Sequence, residues 1–225
     1  MVLTPVQVRV LGSLIEKEIT TPDAYPLSLN ALVNACNQRS SRDPVLELTE
    51  GEVREALHAL EEMDLVTVLQ DARVPKFEHR ARTVFNLRRD ETAVMCLLML
   101  RGPQTPGELR SRSERLYTFD EIASVQSTLE RLAARAPEAD GNAKPPSAEP
   151  LVALLPRQPG ARESRYMHLL AGPPESATPS SPFLPPHGED TESKDRMAQL
   201  EAELARITKT IATLEGRIAA LEAKL

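Results

Sequence analysis

Apolar side chains recur at Val8, Leu11, Ile15 and Ile19, a spacing of three and four that lines one face of a helix. Thr4 before Pro5 predicts where this helix starts, because a threonine hydroxyl caps exposed amides and proline suits the first turn. Thr20-Thr21-Pro22 ends it. A second helix is predicted after the Pro26-Leu27 turn, capped by Ser28 and burying Leu29, Leu32, Val33 and Cys36. Residues 37–44 read as a polar loop. Thr49-Glu50-Gly51-Glu52 is a capping box that opens a third helix burying Val53, Leu57 and Leu60. Two β-rich runs follow, 65–69 and 83–87, and the charged stretch 70–82 between them has the length of a wing rather than a tight hairpin.

The same order then recurs. Asp90 is read as the cap of a helix whose segment 93–100 is apolar all round, which predicts a central position, and Gly102-Pro103 stops it. Thr105-Pro106-Gly107-Glu108 opens a short helix. Thr118-Phe119-Asp120-Glu121 opens another, starting near Phe119 and burying Ile122, Val125, Leu129 and Leu132. After a Pro-rich insert, 136–150, the runs 151–155 and 165–170 read as paired strands around a Pro159-Gly160 turn.

Helix, helix, helix, strand, wing, strand, twice over, is the order of tandem winged helix-turn-helix domains. The expected fold class is mainly α with small β-hairpins, with domains at 1–89 and 90–171. Particular strings also resemble the YceH family of uncharacterised bacterial proteins: Tyr25-Pro26-Leu27-Ser28-Leu29-Asn30, Ala35-Cys36-Asn37-Gln38-Arg39, Arg42-Asp43-Pro44-Val45, the stretch 100–112 and the stretch 159–170. The resemblance covers residues 3–172. It implies a tandem winged-helix fold, often with a coiled-coil tail, and it carries over no catalytic residues. The chain departs from that pattern at Gln7, where the family tends to be acidic, and in a shorter, less Gly-rich first wing.

Residues 172–190 contain six prolines with Ser, Thr and Glu, a composition that predicts an extended tether over 172–191. Met197, Leu200, Leu204, Ile207, Ile211, Leu214, Ile218, Leu221 and Leu225 then alternate spacings of three and four. Residues 192–225 are therefore expected to form a coiled coil, mostly dimer-compatible, with an amphipathic helix folding back on its own domain as the alternative.

Composition narrows the function. Hydrophobic residues make up 41% and aromatics 3%, with no Trp, which suits helices better than a large sandwich. The start lacks a signal-peptide pattern and no apolar run has bilayer length, so a cytoplasmic protein with no membrane partner is expected. Cys36 and Cys96, the only cysteines, have helix-interior neighbours rather than metal-knuckle spacing. Neither they nor His58, His79 and His168 form an activated nucleophile or ligand set, so no enzyme, metal or cofactor is expected. Arg39, Arg42 and Asp43 suggest an internal ion pair.

The net charge of −6 argues against avid nucleic-acid binding, but the distribution is uneven. Residues 49–64 carry six acids, Glu50, Glu52, Glu55, Glu61, Glu62 and Asp64, against Arg54, a poor major-groove reader. The candidate nucleic-acid contacts are Arg73, Lys76, Arg80 and Arg82 on the first wing, Arg110, Arg112 and Arg115 before the last helix, and Gln126 and Arg131 on it. For each cluster a solvated charged face is the competing role. The favoured reading is a dimeric, DNA-associated or regulatory protein, with Leu200, Leu204, Ile207, Ile211, Leu214, Ile218 and Leu221 joining the copies. The alternative is a protein-interaction adaptor using the acidic helix and the coiled coil.

Overall fold

Capping decides where most of the helices begin. The computed structural model describes residues 1–70, 73–136, 149–157 and 163–173, and everything below concerns these; residues 137–148 of the Pro-rich insert, the Pro159-Gly160 turn, the tether from 174 on and the heptads lie outside them. Helix α1 spans Pro5–Thr20, with the Thr4 hydroxyl accepting from the Gln7 amide at 3.3 Å and the Gln7 side chain accepting from the Thr4 amide at 2.8 Å. Ser28 caps α2 (Leu29–Cys36). The box at Thr49 and Glu52 opens α3 (Glu50–Glu62), as the sequence predicts.

The strands of the first half differ from expectation. Strand β1 is Leu27–Ser28, β2 is Val66–Leu69 and β3 is Lys76–His79, in an antiparallel sheet of order β1-β3-β2. Of residues 83–87, expected as a strand, Thr83 and Val84 instead end a short helix α4, Ala81–Val84, and 85–87 follow it without strand pairing. Lys76–His79 already occupies the pairing edge of β2, opposite Leu69 through Val66. The apolar signal at Phe85 and Leu87 comes from burial beside the core, at 2% and 8% exposure, without strand pairing.

The second half keeps the predicted helix, helix, helix, hairpin order. Helix α5 (Arg89–Arg101) is buried continuously from Glu91 to Leu100 and stops at Gly102, whose φ of 68° suits glycine. Its cap is not Asp90 but Arg88, whose amide donates to Glu91 at 2.9 Å, so the helix begins two residues earlier. The Thr105–Glu108 box opens α6 (Pro106–Ser113). Helix α7 runs Ile122–Ala133, three residues later than expected, because Arg110 donates to the Phe119 and Asp120 carbonyls and fixes that backbone outside the helix. Ile122, expected in the core, is 45% exposed. Strands β4 (Val152–Leu154) and β5 (Tyr166–His168) pair antiparallel.

The two halves share one apolar interior, and the described residues belong to one compact unit. Helix α1 packs on α5, with Leu11, Leu14, Leu98 and Leu100 all buried. Backbone bonds cross the seam from Leu3 to Leu170 at 2.7 Å and from Asp43 to Leu100 at 2.9 Å. These contacts bury the whole middle of α1, Val8 to Ile15, so Val10 and Leu14 join the single face that periodicity alone marks out.

His168 in β5 gives this interior a pH dependence. Burial holds its imidazole neutral and brings its pKa down to about 4. Because the neutral form is favoured only in the folded state, stability is full above the unfolded value near 6.5 and falls as pH drops towards the folded one. Acid titration of urea unfolding over that interval should show a loss of up to about 3 kcal/mol, and His168→Leu should flatten it. An equal slope in the variant would assign the loss to other groups.

Candidate interaction surfaces

The four cations expected on one wing occupy four different settings. Arg73 is exposed in the β2–β3 connection; Lys76 is half-buried in β3, opposite Leu69 and Ser28. Arg80 stands at the N-cap of α4 and pairs with Asp64 at 3.0 Å. Arg82 is exposed on α4.

The second group is mostly engaged inside the fold. Arg110 binds the loop ahead of α7, with its donation to Asp120 at 2.7 Å. Arg112 donates to the buried Gln104 side chain at 2.8 Å and lies 3.7 Å from Glu108. Arg131 pairs with Asp90 and, at 3.4 Å, with Glu91, so it ties α7 to the start of α5. Arg115 and Gln126 are exposed, and neither has a side-chain hydrogen bond or ion pair among the described residues. The accessible face of α7 presents Ala123, Gln126, Ser127 and Glu130, with Asp120 and Glu121 before its first turn, and carries no unpaired cation.

Helix α3 turns its acids outward. Glu50, Glu52, Glu55, Glu61, Glu62 and Asp64 are all exposed, while Val53, Ala56, Leu57 and Leu60 face the core. Arg54 is neutralised by Glu50, and His58 lies 3.6 Å from Glu62. A groove of about 500 Å³ runs beside this helix, lined by Leu57 and Phe77 with Glu55, Glu61, Arg54 and His58 along it.

Other charged groups are structural. Arg9, in the middle of α1, donates to the Cys36 carbonyl at 3.0 Å and the Pro44 carbonyl at 2.6 Å. Arg42 pairs with Glu16 rather than Asp43, at 2.6 Å, and donates to the Ala35 carbonyl at 2.8 Å. Burial by itself would raise the Glu16 carboxyl, but the hydrogen bonds and charges of Arg42 and Lys17 outweigh it and hold it below the usual range. His79 bonds Glu18 at 2.9 Å and takes its backbone amide to the Tyr25 hydroxyl at 2.7 Å. Sequence reasoning missed Arg9, Glu16 and Glu18; the one available signal was a charge inside the apolar run of a core helix. Cys36 and Cys96 are buried, and burial pushes both thiols up, away from nucleophilic thiolate. Among the described residues no group of His, Cys, Asp and Glu could hold a metal ion, and no helix is long and apolar enough to cross a membrane.

Comparison with known proteins bears on this arrangement. The model of a family described as "Protein of unknown function, DUF480" matches residues 3–161. A UPF0502 protein of Koribacter versatilis is 48% identical over 92% of this chain and 91% of its own length. One from Aeromonas hydrophila is 44% identical over 99% of both chains, and one from Geotalea daltonii 51% identical over 80% of this chain and 78% of its own. Together the family match and the near full-length relatives place the chain in the DUF480 family, that of the UPF0502 or YceH proteins its residues resemble.

Proposed function

We propose that this protein is a non-catalytic cytoplasmic interaction module whose macromolecular partner is a protein rather than duplex DNA. In this reading residues 1–89 and 90–171 are two winged-helix domains joined along α1 and α5. A Pro-rich tether, 172–191, connects them to a self-associating coiled coil, 192–225. The observation that carries the choice of partner is the disposition of charge on the two third helices. The face of α3 is acidic, and the only arginine at the α7 surface that could have held phosphate, Arg131, is paired with Asp90 and Glu91. Phosphates would be repelled by the first surface and find no unpaired cation on the second.

A DNA-associated regulator is the second reading, favoured by the exposure of Arg73, Arg82, Arg115 and Gln126. Retention of random-sequence duplex by the full-length protein at two salt concentrations separates the two. The adaptor reading expects no retention at low salt. It also expects a photo-reactive side chain at Glu55 to yield a discrete protein adduct in cells, lost on Glu62→Lys. Salt-sensitive retention that Arg82→Ala weakens, with no adduct at position 55, would replace it by the DNA reading. Light scattering that reports a monomer would remove self-association from either.

A further inference from the structure

A cleft of about 380 Å³ opens where the end of α1, helix α4, the start of α5 and the 114–118 turn come together. That volume lies within the range of small-molecule sites, which favour the junctions between packed units. Arg82 from α4 and Arg89 from α5 both line it. Both are exposed, and neither has a carboxylate within 4.0 Å among the described residues. Arg42, Arg54, Arg80, Arg112, Arg131 and Arg165 each have one. Two guanidinium groups that line one concavity, neither in an ion pair, can offer an anion charge-assisted hydrogen bonds.

The rest of the wall fits an anion with a flat apolar body. Ile19 and Leu116 supply aliphatic surface. Tyr117, 37% exposed, also lines it, its ring packed edge-on against the buried Phe119 with centroids 4.8 Å apart. Glu18 is the one acid lining the cleft, and its carboxylate is engaged by His79 at 2.9 Å. The hydrogen bond from His79 holds the Glu18 carboxyl below its usual range, with Arg82 assisting through space. The acid's charge is thus partly answered from inside the fold.

We propose that this cleft binds a small aromatic anion, its carboxylate or phosphate held by Arg82 and Arg89 and its ring laid against Ile19, Leu116 and Tyr117. The proposal does not rest on the protein-partner reading of the α3 face. Calorimetric titration of the full-length protein tests it, with phenyl phosphate and benzoate as probes and inorganic phosphate and phenol as comparators. Saturable one-to-one binding of at least one aromatic anion is expected, at least tenfold tighter than either comparator. Arg82→Gln with Arg89→Gln should weaken it at least tenfold while leaving the urea midpoint of the unliganded protein unchanged. Tyr117→Leu should weaken the aromatic anions and leave inorganic phosphate where it was. Absence of saturable heat at millimolar probe, equal affinity for inorganic phosphate, or undiminished binding by the double variant would each overturn the proposal.

Discussion

Replacing Arg42 by alanine is expected to remove about 3–5 kcal/mol of stability, the usual cost of breaking a buried pair by deleting one partner. The Arg42 side chain is fully buried and that of Glu16 is 14% exposed, so the abandoned carboxylate gains little solvation. The Ala35 carbonyl loses two donors at the same time, from Nε at 3.1 Å and Nη2 at 2.8 Å. The sign with pH follows from Glu16, whose carboxyl lies below its usual range in the folded protein. Its contribution is present above the unfolded value and is lost as pH falls through the folded one. The deficit of Arg42→Ala measured by urea unfolding should therefore be largest near neutrality and shrink in acid. Arg42→Met combined with Glu16→Leu should recover most of it, because an apolar pair leaves no orphaned charge. A neutral-pH loss below about 1 kcal/mol would mean that the 37–44 loop is held chiefly by Arg9.

Periodicity and local capping made most of the helices legible in the sequence. Thr4, Ser28, Thr49 and Thr105 all cap as their neighbours predict, because an N-cap is closed within four residues, at all but Ser28 as a reciprocal capping box. The continuous apolar run in α5 correctly predicts burial. Thr118-Phe119-Asp120-Glu121 has the same letters but fails, since its backbone carbonyls are claimed by Arg110 from another helix. The alternation at Phe85 and Leu87 reported burial truthfully and pairing falsely, because the sequence cannot say which of two segments takes an available sheet edge.

Charge was the least legible property. Arg131 stands beside Ser127 and Thr128 in the chain and reads there as part of a polar, nucleic-acid-like face. Its partners, Asp90 and Glu91, lie about forty positions away, and only the packing of α7 on α5 brings them together. Counting signs along a chain measures supply, whereas binding depends on which charges remain unanswered once the fold is made. By that measure Arg82 and Arg89, at the end of the first of the two expected domains, matter more than the denser cluster at Arg110 and Arg112.

Gly12 is expected to tolerate nothing much larger than alanine, since α5 packs directly against it. A Cβ built there would lie 3.0 Å from Leu100 Cδ2, 3.1 Å from Leu100 Cγ and 3.2 Å from Met99 Cβ. The Gly12 carbonyl also accepts from the buried Cys96 thiol at 3.5 Å, which limits how far the helices can slide apart. For Gly12→Ala two effects oppose each other. Helix propensity gains about 1 kcal/mol, while overpacking costs roughly 1–3 kcal/mol, so the net change should be a small loss. Gly12→Leu gains no further propensity and adds three more carbons to a filled interior. Its loss should reach about 3 kcal/mol or more, read as a fall in the urea midpoint. Adding Leu100→Ala should restore part of this, because the two side chains then compete less for one space, whereas Leu100→Ala by itself leaves a cavity. If Gly12→Leu unfolds at the same urea concentration as the parent, α1 and α5 are not tightly joined at this point, and the shared core of the two halves must be held together elsewhere along the seam.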